Sequence, residues 1–173
     1  MGLEDYVIRR HHAGGRRSWA AYSPCMQYRY GLSRRWGSGA VLLYVMLNPS
    51  TATERANDPT IERCERRARQ LGFAGLGVVN LFAFRATRPQ DLKRATDATG
   101  PLNDAAIRSA ALRADQVLCA WGVHGDHLGR GDQVRELLRG LGRPLLHLGL
   151  TKAGAPRHPL YVSYSHQPAL WDH

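Results

Sequence analysis

The stretch that most constrains the fold is an apolar run over residues 41–47 that stops at Asn48-Pro49-Ser50. Without polar alternation, such a run predicts a strand buried on both faces, as in a parallel sheet. Pro49 has no N–H to donate to a strand ladder, so the strand ends there. Because α/β proteins bind ligands at the carboxyl ends of parallel strands, Asn48 is placed where a ligand would lie. Its amide offers both a donor and an acceptor, which can orient water or read a base edge.

Apolar strands and amphipathic helices alternate along the rest of the chain. Besides residues 40–47, strands are predicted over 75–82, 116–121 and 144–149, and helices over 59–71, 101–114 and 134–141. This alternation predicts βαβ units and a mostly parallel sheet. Alternation in the basic, aromatic segment at residues 28–36 predicts an antiparallel hairpin or edge strands, so residues 1–38 are interpreted as an N-terminal extension. We interpret residues 1–173 as one α/β domain.

The charge of the chain favours a polyanionic partner. Its 24 basic residues outnumber its 14 acidic ones, for a net charge of +10, and only Lys93 and Lys152 are lysines. Such a field attracts nucleic acid, and arginine suits contacts with phosphates and bases. Codon preference in a GC-rich genome would also explain arginine over lysine, but it explains the scarcity of acids less well. The arginines of residues 63–69 lie mostly off the apolar stripe of their helix, and we interpret them as a solvated face rather than a DNA-contact surface.

Several classes of protein are disfavoured. No apolar run of about 18 residues exists, so no membrane span is predicted, and Met1–Asp5 does not begin a signal peptide. The cysteines Cys25, Cys64 and Cys119 are far apart, which indicates reduced thiols in a cytoplasmic protein and excludes a four-cysteine iron–sulfur cluster within one chain. A zinc site at His124 and His127 is an alternative to a glycine-rich loop. We predict neither a metal nor a cofactor.

Three polar clusters follow predicted strands. They are residues 48–51, then Asn80 with residues 85–89, and finally residues 151–161. In a parallel sheet the loops after the strands converge on one edge. The three clusters are therefore interpreted as one site.

These clusters carry a resemblance to a bacterial family, domain of unknown function 1643. The matching segments run from about residue 28 to residue 163. They are Met46–Ala52, Asn57–Ile61, Asn80–Thr87, Gly100–Asp104, Ala120–Gly122 and Thr151–Tyr161. This family resemblance implies no activity.

A more distant resemblance implies one. Asn48-Pro49 after a strand is similar to the Gly-x-Asn-Pro-Gly motif of mismatch-specific uracil-DNA glycosylases, and His158-Pro159-Leu160 resembles the His-Pro-Ser-Pro motif of the wider superfamily. Ser50 stands where the first motif has Gly, and Leu160-Tyr161 where the second has Ser-Pro. The resemblance implies a three-layer α/β sandwich around a mostly parallel sheet of four or five strands. It also implies that Asn48 positions the attacking water and that His158 contacts the base or the transition state.

The function expected from this resemblance is that of a DNA glycosylase, which removes a damaged, deaminated or modified base flipped out of DNA. Asn48 and His158 are the predicted catalytic residues. Residues predicted to bind substrate or DNA are Ser50, Asp58, Asn80, Arg85, Thr87, Lys152, Arg157 and Tyr161.

Some of these residues have alternative interpretations. Asp58 also fits the N-cap of a helix that begins at Pro59. Lys152 could form a Schiff base in a lyase, although a phosphate contact is the simpler interpretation. Four aromatic residues could stack on a base or belong to the core, and the core is favoured for each: Tyr44, Phe82, Trp121 and Tyr161.

Two other functions stay open at this point. One is non-catalytic nucleic-acid binding, and the other is a hydrolase or transferase acting on free nucleosides or nucleotides. DNA is the expected partner. We expect no membrane association and infer no obligatory protein partner.

Overall fold

A computed structural model describes residues 6–172, which form one mixed sheet with helices on both faces. The order of the strands across the sheet is β1-β2-β3-β5-β4-β6-β7-β8. In chain order the strands are β1 (Val7–Ala13), β2 (Arg16–Tyr22), β3 (Arg29–Arg35), β4 (Val41–Met46), β5 (Gly75–Asn80), β6 (Gln116–Cys119), β7 (Leu145–His147) and β8 (Ala169–Leu170).

The three predicted helices are present, although the last begins at Arg130 rather than at Val134, and one short α-helix is an addition. Asp58 caps the first helix as expected, because its Oδ1 accepts a hydrogen bond from the N–H of Ile61 at 2.8 Å. The addition is a helix of six residues that begins at Pro89. The helices are α1 (Pro59–Gln70), α2 (Pro89–Arg94), α3 (Asn103–Arg113) and α4 (Arg130–Gly140), with short 3-10 helices at Val123–Gly129 and Pro159–Tyr161.

Strand β4 is the centre of a four-stranded parallel core, β5-β4-β6-β7. Its residues alternate between two hydrophobic cores, as a strand covered on both faces requires. Leu43 and Val45 pack on the side of α3 and α4, whereas Leu42, Tyr44 and Met46 pack on the side of α1. The prediction of a strand buried on both faces is therefore confirmed.

The N-terminal strands correct the expected topology. They form an antiparallel unit that joins the main sheet, because β3 pairs antiparallel with β5 through Leu32 and Val78. The pair β7–β8 is antiparallel as well, so three of the seven strand pairings within residues 6–172 are parallel. The prediction of a mostly parallel sheet of four or five strands therefore describes only the middle of the sheet. The sequence misled because arginine normally marks a solvated edge, whereas Arg34 of β3 is 0% exposed.

The arginines of α1 also differ from expectation, because two of them hold the C-terminal segment. Arg63 donates to the carbonyl oxygens of Pro159 and Val162, at 3.2 and 2.7 Å. Arg67, only 1% exposed, donates to the carbonyls of Val162, Ser163 and His166. The interpretation of this run as a solvated face is therefore wrong for both residues, and we call Arg63 and Arg67 the arginine clamp.

None of the helices within residues 6–172 combines the length and the apolar character needed to cross a membrane.

Candidate active-site cleft

A cleft of about 570 Å³ lies where β4, β5 and β6 end. It contains residues from the loop after each of these strands and from residues 151–161, which is the convergence expected at the carboxyl edge of a parallel sheet. Eight of the ten predicted site residues line it, namely Asn48, Ser50, Asp58, Asn80, Thr87, Arg157, His158 and Tyr161.

The side-chain amide of Asn48 is held in one orientation. Its Nδ2 donates to the carbonyl oxygen of Ala86 at 2.7 Å and to that of Pro49 at 3.0 Å. Both partners are carbonyls, which only accept, so the nitrogen must face them and Oδ1 must face the other way. No group among residues 6–172 donates to Oδ1. Asn48 therefore presents a free, fixed acceptor from the half-buried wall of the cleft.

His158 presents a donor. Its Nδ1 accepts the backbone N–H of Leu160 at 3.3 Å, so the proton of the neutral ring lies on Nε2. Burial lowers the pKa of His158, and the carboxylate of Asp58 opposes that shift. The neutral tautomer with an Nε2–H donor is therefore the form expected at pH 7.

Gly122 brings the end of β6 close to His158. Its φ is +74°, and a Cβ at this position would lie 3.4 Å from the Cβ of His158. The N–H of Gly122 donates to the carbonyl of Pro156 at 2.8 Å, which ties the two segments together. The arginine clamp holds the other side of the same loop through Pro159 and Val162. His158 thus sits on a backbone anchored on both sides.

Asp58 has a structural role, in agreement with the cap interpretation. Besides capping α1, its carboxylate accepts the N–H of Ala52 at 3.2 Å through Oδ2. Asp58 therefore joins the loop after β4 to the start of α1. Because it also lines the cleft, its charge acts on His158 and on Arg29.

Two polar side chains of the cleft are almost completely buried and have polar atoms that form no hydrogen bond with any group among residues 6–172. Asn80, at the end of β5, is 2% exposed, and neither its Oδ1 nor its Nδ2 has a hydrogen bond. Arg29 is also 2% exposed. Its Nη1 donates to the carbonyl of Ala52 at 2.7 Å, but its Nε has no acceptor. Burial lowers the pKa of Arg29 to about 10, so the guanidinium remains charged at pH 7.

Sequence reasoning identified Asn80 but missed Arg29. The arginine-rich segment 28–36 has the composition of a solvated strand, so nothing marked one arginine as turned inward. Thr60, Gly122 and His124 also line the cleft without having been predicted as site residues. Their positions depend on how three loops meet, which no local pattern shows.

Two predicted site residues do not line the cleft. Arg85 is half-buried, with Nη1 donating to the carbonyl of Met26 at 3.1 Å and its guanidinium 5.1 Å from the centre of the Tyr22 ring. Lys152 is exposed in a turn outside the cleft lining. A Schiff base at Lys152 therefore has no support from the position of this residue.

The four aromatic residues considered for base stacking also divide into residues that line the cleft and residues that do not. Tyr44 and Phe82 belong to the hydrophobic cores on the two faces of the sheet, in agreement with the core interpretation. Trp121 is buried but lines the cleft, and Tyr161, 81% exposed, lines its rim. Only Trp121 and Tyr161, of these four residues, are placed where they could contact a base.

The comparison with protein families identifies the group to which this fold and cleft belong. A family model described as protein of unknown function (DUF1643) matches residues 29–160. The chain belongs to this family. The match confirms the family resemblance and includes β3, the arginine clamp and almost all the residues that line the cleft. Searches of curated proteins and of solved structures found no match to this DUF1643 chain.

Proposed function

We propose that this protein is a DNA glycosylase, which hydrolyses the N-glycosidic bond of a damaged, deaminated or modified base flipped out of DNA. The proposal is carried by the meeting of Asn48 and His158 in one cleft. One offers a fixed free acceptor and the other offers a donor. The four parallel strands with helices on both faces support a further inference, that the fold is related to uracil-DNA glycosylases.

In this mechanism Asn48 positions the nucleophile. Cleavage of a glycosidic bond passes through a transition state that resembles an oxocarbenium ion, so the attacking water needs orientation more than a strong base. The free Oδ1 of Asn48 accepts a hydrogen bond from that water. The hydrogen bonds of Nδ2 to Ala86 and Pro49 keep Oδ1 in place.

His158 acts on the leaving group. As the bond breaks, negative charge accumulates on the base, and the Nε2–H of neutral His158 donates to an acceptor atom of the base where that charge develops. The sugar gains positive charge at the same time. The carboxylate of Asp58 and the DNA phosphates supply the opposing negative charge.

The rim of the cleft suits a polyanion. Arg157, Thr87 and Tyr161 are exposed lining residues, and the whole chain carries a net charge of +10. Arginine and hydroxyl groups are common phosphate contacts. The cleft volume lies within the range of roughly 300–1,000 Å³ typical of small-molecule sites, so it can take a single flipped nucleotide.

The test is release of bases from a panel of duplexes, each carrying one damaged, deaminated or modified base, followed by alkaline cleavage at abasic sites. We expect cleavage of at least one duplex, reduced about 100-fold or more in Asn48→Ala. His158→Ala should also lose activity. Its control is His12→Ala, which changes an exposed histidine on β1 and should retain activity.

Three outcomes would contradict the proposal, provided the protein is folded. The first is no cleavage across the panel. The second is salt-dependent binding of every duplex, unchanged in Asn48→Ala and without base release, which would indicate a non-catalytic nucleic-acid-binding protein. The third is turnover of free nucleosides or nucleotides but not of duplexes.

A further inference from the structure

We propose that Arg29 and Asn80, in the cleft, recognise a 6-oxopurine, the class of base that includes hypoxanthine, xanthine and guanine. The inference rests on the proposed function for the attachment of that base to DNA. It extends the proposed function by assigning the class of base and the residues that select it.

Arg29 is a buried cation with one free edge. Its Nη1 is engaged by Ala52, whereas no described group accepts a hydrogen bond from Nε or Nη2. No carboxylate of residues 6–172 lies within ion-pair distance of it. An unpaired buried charge is costly, so an arginine held in this state points to a ligand that completes it. The free Nε–Nη2 edge carries two N–H donors side by side and suits a group with two neighbouring acceptors.

Asn80 contributes a second unpaired group. Its Nδ2 and Oδ1 are both buried without partners among residues 6–172, and the residue lines the same cleft as Arg29. Asn103, also buried, differs because its Nδ2 donates to the carbonyls of Asn80 and Leu81, so that only its Oδ1 lacks a partner among residues 6–172. The unpaired amide of Asn80 offers one donor and one acceptor to a ligand.

A 6-oxopurine matches this set of donors and acceptors. Its N7 and O6 are neighbouring acceptors, the pair that arginine binds in bidentate fashion. Its N1–H donates to the Oδ1 of Asn80, and the second lone pair of O6 accepts from Nδ2. Uracil would satisfy Asn80 but would offer Arg29 one acceptor only. Adenine would direct its amino group at the guanidinium in place of O6.

The same contacts assist bond cleavage. Water adds to C1′ and loses a proton to solvent, while the C1′–N9 electron pair leaves with the purine, which takes up a proton. Negative charge on the departing purine spreads to N7 and O6, where the guanidinium of Arg29 stabilises it. Arg29 therefore selects the base and stabilises it as it leaves.

The experiment measures binding of free bases by calorimetry, which requires no turnover. We compare hypoxanthine with 7-deazahypoxanthine, which lacks the N7 acceptor, and with uracil. Wild type should bind hypoxanthine about tenfold more tightly, or better, than either of the others. Arg29→Gln should remove this preference, whereas Arg10→Gln, at an exposed position of β1, should retain it.

Equal affinity for hypoxanthine and 7-deazahypoxanthine, or tighter binding of uracil, overturns the proposal. So does binding of inorganic phosphate that depends on Arg29 and excludes hypoxanthine, because the cleft would then hold an anion rather than a purine. If Arg29→Gln does not fold, the comparison of the three bases with wild type decides alone. Purine binding without base release from any duplex would contradict the glycosylase proposal and leave the purine site standing.

Discussion

The arginine clamp and the Arg29–Asn80 end of the cleft both bury polar side chains, but most hydrogen-bonding groups of the clamp have partners and most of those in the cleft do not. In the clamp, Arg67 donates to three backbone carbonyls of the C-terminal segment through Nη1 and Nη2, and only its Nε lacks an acceptor among residues 6–172. In the cleft, and within the described part of the chain, Arg29 donates to one carbonyl and leaves its Nε–Nη2 edge free, while the side chain of Asn80 forms no hydrogen bond. A buried polar group with its partners present stabilises a fold, whereas one without partners destabilises it. This difference indicates that the clamp stabilises the fold, whereas Arg29 and Asn80 are available to bind a ligand.

The unpaired groups of the cleft are surrounded by loops that hydrogen bonds hold in place. Asp58, Gly122 and the arginine clamp fix the loops around Asn48 and His158 by hydrogen bonds within the protein. The unpaired groups of the cleft can then remain unpaired without collapsing onto one another. Functional sites commonly sacrifice stability in this way.

The largest effect on stability is expected in the clamp. Arg67→Ala removes three hydrogen bonds, those to the carbonyls of Val162, Ser163 and His166, although Arg63 still donates to Val162. We expect the free energy of unfolding to fall by about 3 kcal/mol, measured by urea denaturation. Arg66→Ala, on the exposed side of the same helix, should change it by less than about 0.5 kcal/mol. Equal losses in the two variants would refute a structural role specific to the clamp.

A second pair compares two buried arginines of β3. Arg34 uses Nε, Nη1 and Nη2 to bind Asn57 and backbone carbonyls, including that of Thr53 at 2.5 Å. Arg34→Met should therefore cost about 2 kcal/mol of unfolding free energy. Arg29→Met removes a buried charge that forms no direct ion pair within residues 6–172, although Asp58 acts on it at longer range, and should be neutral within about 0.5 kcal/mol or stabilising. Thermal and urea unfolding of both variants measure this difference, and a larger loss in Arg29→Met would show that Arg29 is structural.

Substitutions of the two buried asparagines should change the free energy of unfolding by less than those of the arginines, and in opposite directions. Asn103→Leu removes the donors to the carbonyls of Asn80 and Leu81, at 2.9 and 3.0 Å, and should cost about 1 kcal/mol. Asn80→Leu removes an amide whose two polar atoms are buried and have no partner in residues 6–172, and should stabilise the protein by up to about 1 kcal/mol. The same variant should lose binding of hypoxanthine. Destabilisation by Asn80→Leu would mean that its amide serves the fold.

The features that could be predicted from the sequence are those that depend on a local pattern of residues. The run that ends at Pro49 located β4 and Asn48, and Asp58-Pro59 located the start of α1. The sequence did not predict the burial of Arg29 or Arg67, because their surroundings come from distant segments. Arg67 meets residues 162–166, nearly 100 positions away. Composition alone cannot distinguish an arginine that meets water from one that meets carbonyls brought close by folding.

The smallest effect concerns the pH dependence of His158. Burial lowers its pKa below the usual value of 6.5, so as the pH falls the unfolded chain takes up this proton before the folded protein does. The unfolded state then binds more protons, and stability present above pH 6.5 is lost as the pH falls toward the lower pKa of the folded protein. Protonation also places a hydrogen on Nδ1, where Leu160 now donates. Between pH 7 and 5 the melting temperature of wild type should therefore fall more than that of His158→Gln.

Burial lowers the pKa of His147 as well. Because His147 is present in both proteins, its titration does not change the difference between wild type and His158→Gln. His12→Gln, at an exposed position of β1, controls for the loss of a histidine as such and should follow wild type. Base release should decline over the same pH window, since protonated His158 loses the hydrogen bond that fixes its ring. Parallel melting curves for wild type and His158→Gln would show that His158 titrates as freely in the folded protein as in the unfolded chain. It would then lack the fixed, neutral tautomer on which its proposed contact with the leaving base depends.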